Sequence, residues 1–181
     1  GLHFKLSPRS FYQVNRTQAE RLYLLAQEEA GLTGSEVLLD LYCGTGTIGL
    51  TMAHRVKELI GADIVAPASA DARENALQNG IHNARFLCAD AAKAAETLKA
   101  EGVRPDVVIL DPPRKGCDEA LVETVCEMQP QRIVYVSCDP ATLARDLARF
   151  AARGYAAKRV TPVDLFPRTM HTESVGLLER E

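Results

Sequence analysis

The sequence predicts an α/β fold: a doubly wound, mainly parallel sheet of seven strands that ends in an antiparallel hairpin. Three observations carry this expectation. Short apolar runs recur along the chain, and five of them are each followed by a helical stretch. Glycine and proline stand at the boundaries between those runs and stretches. The last two strands, roughly 155–164 and 173–178, have no helix between them.

Taken in order, the chain opens extended, and Asn15 or Thr17 can cap a helix running to about Ala30. Leu22, Leu25 and Ala26 recur along it at helical spacing, and Gly31 and Gly34 close it. VLLDL, from Val37 to Leu41, is a continuous apolar strand of the kind buried on both faces of a parallel sheet. The loop CGTGT then leads into a helix from about Ile48. ELIGADI (Glu58–Ile64) is the second strand. The helix PASADARENALQNG (Pro67–Gly80) has proline in its first turn and glycine past its end. ARFLCAD is a strand and Ala91–Glu101 a helix; DVVILDPP is a strand stopped by prolines, followed by a helix from about Asp118 to Met128. RIVYVSC is the fifth strand, and Pro140–Arg153 is a helix again opened by proline. Tyr155–Asp164 and Glu173–Leu178 form the hairpin.

Length and composition bound the rest. A chain of 181 residues makes one domain, and 46% hydrophobic with 25% charged residues supports a sizeable core. No apolar run of about 18 residues is present, so no membrane-spanning helix is expected. The net charge of -3 excludes a uniformly basic nucleic-acid-binding domain. Charge is uneven, however: Arg145, Arg149, Arg153, Lys158, Arg159 and Arg168 outnumber Asp146 and Asp164 late in the chain. This stretch reads first as a solvated helix face and second as an RNA-facing patch. Cys43, Cys88, Cys117, Cys126 and Cys138 form no CxxC pair and no cluster of zinc spacing, so no metal is expected. Free thiols in a reducing, cytoplasmic setting are. The opening GLHFKLSPRS has neither an initiating methionine nor a secretory apolar region, which is read as the start of a fragment.

Doubly wound sheets bind ligands at the carboxyl ends of their strands. Those ends carry Asp40 with Tyr42-Cys43-Gly44, then Asp63, Asp90, Asp111-Pro112-Pro113 and Ser137-Cys138-Asp139. Gly44, Gly46 and Gly49 are spaced G-x-G-x-x-G, which lets backbone pass close to a ligand but also describes a dinucleotide fingerprint. Asp40 ahead of the glycines would oppose a pyrophosphate and suits the sulfonium and amino group of S-adenosyl-L-methionine. Asp63 is placed to take both hydroxyls of a ribose, and Asp90 to reach an adenine amino group. Either alone would serve as a helix N-cap. Three such carboxylates behind a glycine loop point instead to an adenosyl cofactor, and so to methyl transfer.

DPPRKG presents Asp111 into the same cleft, because successive prolines fix the backbone. Related loops of amine-methylating enzymes carry an aromatic residue at the fourth position, where Arg114 stands here. Cys138 ends the fifth strand beside the fourth, near a helix start whose amides can lower a thiol pKa. Cys88 and Cys126 read as small buried hydrophobes and Cys43 as cofactor lining, while Cys117 stays open. A thiol nucleophile beside a methyl donor fits carbon 5 of a pyrimidine, which becomes nucleophilic once a thiolate adds at carbon 6. A base must then remove the carbon-5 proton. HTESV (His171–Val175) supplies Glu173 as the preferred base and His171 as the alternative.

The motifs SPRSFYQVN, DLYCGTGTIGL, DARENALQNG, DPPRKG, SCDPATLARDL and HTES stand in the order found in the RNA uracil-5 methyltransferase family. The chain resembles that family's catalytic domain over nearly all its length. The resemblance implies a Rossmann-like class I methyltransferase fold with S-adenosyl-L-methionine as cofactor and RNA as substrate, 23S rRNA being favoured over tRNA. It implies Cys138 as nucleophile and Glu173 as base. It gives Gln13, Tyr42, Asp63 and Asp111 as cofactor contacts with Asp90 beside the adenine, and brings Phe11 and Arg114 near the target base. It further implies RNA-binding segments ahead of this domain; the oligomeric state is left open by the sequence, with a monomer expected. Two positions depart from the family pattern: Asp63 where glutamate is common, and Asp139 where asparagine is common. An ionised Asp139 beside Cys138 would disfavour the thiolate unless a cation offsets it or it points away. Two rival readings remain: an amino-group methyltransferase using the DPP loop, and a non-catalytic adenosyl- or RNA-binding module.

Overall fold

The computed structural model describes residues 2–5, 15–165 and 172–181. Helix α1 (Arg16–Ala30) begins where Asn15 turns its side-chain oxygen onto the Gln18 amide and ends at Gly31, whose φ of 58° no β-carbon hinders. There follow β1 (Val37–Leu41), α2 (Thr47–Met52) with a single 3₁₀ turn, β2 (Glu58–Asp63), α3 (Ala66–Gln78), β3 (Ala84–Cys88) and α4 (Ala91–Ala100). The second half runs β4 (Val107–Leu110), α5 (Glu119–Met128), β5 (Arg132–Ser137), α6 (Pro140–Ala151), β6 (Tyr155–Val163) and β7 (Glu173–Arg180). All seven expected strands and six helices are present, with ends shifted by up to three residues.

The strands lie in the order β3-β2-β1-β4-β5-β7-β6. β1 to β5 are parallel, and β7 runs antiparallel between β5 and β6. The central strands β1, β2, β4 and β5 are buried on both faces, which is why they read as unbroken apolar runs, while the margins β3 and β6 are partly exposed. Along β1, Leu38 packs on one face with Leu22 and Ala26 of α1 and with Ile48, Leu50 and Met52 of α2. Leu39 and Leu41 pack on the other with Leu98 of α4, Leu121 of α5 and Leu143 and Phe150 of α6. The strand order reverses between β1 and β4, and at such a switch point the chain leaves neighbouring strands in opposite directions and opens a crevice. The segments after β1 and β4, with Asp40 and Asp111, border that crevice.

Candidate active site

On the β1 side, the glycine loop is shaped by hydrogen bonds to carboxylates. Asp40 is buried, and its Oδ2 accepts the Gly49 amide at 2.9 Å. A β-carbon on Gly49 would stand 2.7 Å from that oxygen, so glycine is required for the contact. The second oxygen of Asp40, Oδ1, is buried and has no hydrogen-bond partner among the described residues. Burial, with Asp63 nearby, pushes the Asp40 carboxyl up to about 7. Asp63 spends both oxygens on backbone, Oδ2 on the Gly44 amide at 2.9 Å and Oδ1 on the Val65 amide at 2.8 Å. Its carboxylate therefore anchors the loop while its edge borders the crevice. Asp90 caps α4, its Oδ1 accepting the Ala92 and Lys93 amides, so the capping role is realised at this position.

Between these groups the backbone adopts conformations that side chains resist. Tyr42 has φ 65°, and Gly44 and Gly46 have φ 54° and 80°. A left-handed tyrosine costs about 1 kcal/mol or more and persists only where its surroundings enforce it. Beyond the Gly44 α-carbon, on the side where a side chain would grow, no atom of the described residues lies within 4 Å, whereas Gly46 packs against Leu50 and Phe86. The loop thus presents bare backbone at Gly44.

On the β5 side, register does the positioning. Ser137 pairs with Ser174 at the last rung of the antiparallel β5–β7 ladder, and Cys138 and Glu173 stand one position beyond it on the two chains. Cys138 is half-buried and Glu173 buried. Burial raises the Cys138 thiol above its usual range, Glu173 and Asp111 raise it further, and Arg114 pulls it back. Glu173 is also raised by burial and lowered by Arg114. Asp111 is pushed up to about 8, by burial first, then by the charges of Glu173 and Asp40. Asp139, the residue expected to trouble the thiolate, caps α6: its Oδ1 accepts the Ala141 and Thr142 amides at 2.9 and 3.0 Å. Those bonds hold its carboxyl below the usual range, with Arg114 adding to the effect. Both conditions set for it are met, since Asp139 points into the helix and Arg114 is the nearby cation. The anions that act on Cys138 are Glu173 and Asp111.

A buried carboxylate that the sequence reading passed over joins the two most specific motifs. Asp146 of α6 has no exposed surface. Its Oδ2 accepts the Tyr135 hydroxyl at 2.6 Å and the Cys117 amide at 2.8 Å, and its Oδ1 accepts Arg145 and Arg149. Those arginines in turn donate to the carbonyls of Lys115 and Cys117. A β-carbon on Gly116, whose φ is 74°, would lie 2.5 Å from the Arg145 guanidinium. The loop DPPRKGC is therefore clamped onto SCDPATLARDL. The signal was available: Leu143, Asp146 and Phe150 share one helical stripe, and a charge on an apolar stripe needs partners.

Other expectations fare differently. The basic stretch is largely neutralised: Arg145 and Arg149 pair with Asp146, Arg149 and Arg153 with Glu119, and Arg159 with Glu29. These residues are ion-paired rather than simply solvated, and their partners are mostly distant in sequence. Cys88 is exposed rather than a buried filler, because it ends β3 at the sheet margin. Cys43 and Cys117 are buried, and burial pushes the Cys117 thiol up to about 12. Gln13, Phe11, Arg168 and His171 lie outside the described residues.

The sheet order, the loop after β1 and the antiparallel β7 are those of class I S-adenosylmethionine-dependent methyltransferases. A solved structure of Pyrococcus abyssi tRNA (uracil-54, C5)-methyltransferase in complex with S-adenosyl-L-homocysteine superposes with a TM-score of 0.82 at 35% identity, covering 97% of this chain and 41% of that one. A precorrin 8w decarboxylase from Methanobacterium thermoautotrophicum shares the fold with a TM-score of 0.77 at 18% identity, over 98% of this chain and 96% of that one. The profile of the family described as tRNA (Uracil-5-)-methyltransferase matches residues 1–181, and the chain belongs to this family. Its curated relatives include an uncharacterized RNA methyltransferase of Lactiplantibacillus plantarum, 53% identical over 100% of this chain and 40% of the relative. Another, from Halalkalibacterium halodurans, is 53% identical over 98% of this chain and 39% of the relative. The chain thus spans about two fifths of the length of these relatives.

Proposed function

We propose that this chain is the catalytic domain of an RNA (uracil-5-)-methyltransferase, transferring a methyl group from S-adenosyl-L-methionine to carbon 5 of a uridine. The observation that carries the reading is the β5–β7 register, which sets a thiol and a carboxyl on neighbouring strands where the DPP loop and the glycine loop converge. Family membership and the P. abyssi relative in complex with S-adenosyl-L-homocysteine support it.

The residues fit the cofactor. The buried Oδ1 of Asp40, unpartnered among the described residues, is an anionic acceptor suited to a cationic ligand, and the open space beside Gly44 admits an adenosyl group, while Gly46 packs against Leu50 and Phe86 and shapes the loop. Tyr42, Asp63, Asp90 and Asp111 border the same space, and Gln13 is assigned to it by family resemblance. When bound, the cofactor supplies an electrophilic methyl group on sulfur.

The remaining chemistry belongs to the chain. Cys138 gives up its proton and adds through Sγ to carbon 6 of the uracil, moving the ring's electron pair toward carbon 5 and the carbon-4 oxygen. Carbon 5 takes the methyl group. Glu173 removes the carbon-5 proton, and the freed pair restores the 5,6 double bond and expels the Cys138 thiolate. Arg114 favours the thiolate by charge. The target base leaves its stack to enter the crevice. Arg114 is exposed and offers no aromatic face for stacking an amino-bearing base, which counts against the amine-methylating alternative.

The test is nucleoside analysis of RNA incubated with the intact protein and isotope-labelled cofactor. 5-Methyluridine is expected, and Cys138→Ala lowers its formation by on the order of 10⁴-fold or more. Methylation that persists in Cys138→Ala, or a methylamino-purine product, sinks the assignment. Between RNAs, the sequence reading favours 23S rRNA, whereas the P. abyssi relative's name specifies tRNA. Mapping both RNAs from a strain lacking the gene decides between them.

A further inference from the structure

Residues 2–5 lie extended along α3, held by two asparagines one helical turn apart. The His3 amide donates to Asn79 Oδ1 at 2.8 Å, and Asn79 Nδ2 donates to the His3 carbonyl at 2.7 Å. Two residues on, the Lys5 amide donates to Asn75 Oδ1 at 2.6 Å, and Asn75 Nδ2 returns a bond to the Lys5 carbonyl at 3.1 Å. Each carboxamide thus imitates one rung of a β-ladder. The spacing allows it: four helical residues rise about 6 Å, and two strand residues about 6.6 Å. The Lys5 ammonium adds an exposed ion pair with Glu74 at 2.8 Å, worth little in water.

The two asparagines differ in one respect. Asn79 is only half-buried, and its remaining bond goes to the Asn75 carbonyl within its own helix. Asn75 is fully buried, and its second amide hydrogen reaches the carbonyl of Thr45 at 3.2 Å. Thr45, itself buried, sits between Gly44 and Gly46 in the loop that faces the crevice. The buried amide has one acceptor and two donors engaged on two different segments, so neither segment can shift without leaving a polar group unpaired. An unpaired buried amide or carbonyl costs far more than the bond it would have made.

We propose that Asn75 is a positioning residue that couples docking of the opening strap, residues 2–5, to the cofactor-binding shape of the glycine loop. The coupling runs both ways: cofactor that holds the loop also tightens the strap, and a docked strap favours cofactor. The strap leads directly into the segment carrying Gln13, so its docking sets where that segment starts. The proposal rests on the adenosyl-cofactor reading above.

The test uses S-adenosylhomocysteine as probe on the intact protein, with calorimetry and amide hydrogen exchange as readouts. Binding by the unaltered protein tests the cofactor reading itself, and its absence overturns that reading and the coupling with it. Given binding, the ligand slows exchange at the Lys5 and Gly49 amides. Asn75→Ala weakens binding about tenfold, and the ligand then protects Gly49 but no longer Lys5. Asn79→Ala, which loosens the strap without touching the loop, weakens binding less than threefold. Lys5→Pro removes the strap's donor to Asn75 while leaving α3 and the loop intact, and it too weakens binding, whereas Lys5→Ala does not. That pair keeps the test available if Asn75→Ala fails to fold. Unchanged affinity in Asn75→Ala, ligand protection of Lys5 that survives that substitution, or equal affinities in Lys5→Pro and Lys5→Ala would overturn the coupling.

Discussion

On the glycine-loop side of the crevice, Asp40, Asp63 and Asp90 each accept backbone amides, whereas on the Cys138 side the acidic groups face one another. Asp63 has both oxygens bonded and Asp90 caps a helix. Across the crevice Asp111 and Glu173 repel each other and raise the thiol between strands. The first arrangement holds a shape in advance. The second stores unfavourable charge that Arg114 only partly offsets, and such strain is expected where a proton and a nucleophile must change state during a reaction. Asp40 is the exception on its own side, with one oxygen bonded and one bare.

The largest test of the contrast is Glu173→Gln. The amide keeps the size of the side chain and loses the base, so methyl transfer can proceed while release of the thiolate cannot. Turnover falls by roughly 10²–10⁴-fold. A covalent protein–RNA species that survives denaturing electrophoresis accumulates, and it is absent from the Cys138→Ala, Glu173→Gln double variant. A slow Glu173→Gln enzyme that accumulates no such species would place the base elsewhere, with His171 next to examine.

A second substitution separates the two halves. Asp146→Ala strips partners from the buried Tyr135 hydroxyl and the Cys117 amide at once, costing about 3 kcal/mol and roughly 10 °C in Tm. Because the clamp joins the loop after β4 to β5 and the helix that follows it, away from the glycine loop, kcat falls while affinity for S-adenosylhomocysteine stays within about twofold. Loss of cofactor affinity equal to the loss of kcat would show that the two sides are not separable.

The same contrast explains what could be read in advance. The fold was legible because parallel strands buried on both faces leave unbroken apolar runs, and Pro67, Pro140 and Gly31 mark where helices begin and end. Site residues at strand ends were legible by position, since the switch point follows from connectivity. What escaped was long-range. Asn75 and Asp146 look like ordinary helical residues until Lys5, Thr45, Cys117 and Tyr135 are brought to them. The basic stretch misled for the same reason, its partners Glu29 and Glu119 lying far along the chain. Asp139 was judged by its neighbour in sequence, whereas its carboxyl answers to the helix it caps.

The smallest expected effect sharpens the exception. The Asp40 carboxyl lies near 7 in the folded protein against 3.8 ordinarily, so the native state binds that proton more tightly than the unfolded chain does. Its contribution to stability is therefore full below about pH 4 and is lost as pH rises toward 7. Asn in its place can still accept the Gly49 amide and carries no charge to desolvate. Asp40→Asn should leave Tm unchanged near pH 4 and raise it at pH 8, where the native carboxylate is ionised. Asp111 moves in the same direction, since losing the Asp40 charge removes one of the causes that raise its carboxyl and eases its ionisation at high pH. The same substitution should weaken binding of S-adenosylmethionine, whose cationic groups the ionised carboxylate favours, so stability gained is binding lost. A Tm difference that does not grow with pH would mean that Asp40 is not the buried charge described here. A stabilised variant that still binds the cofactor at full strength would remove Asp40 from the site.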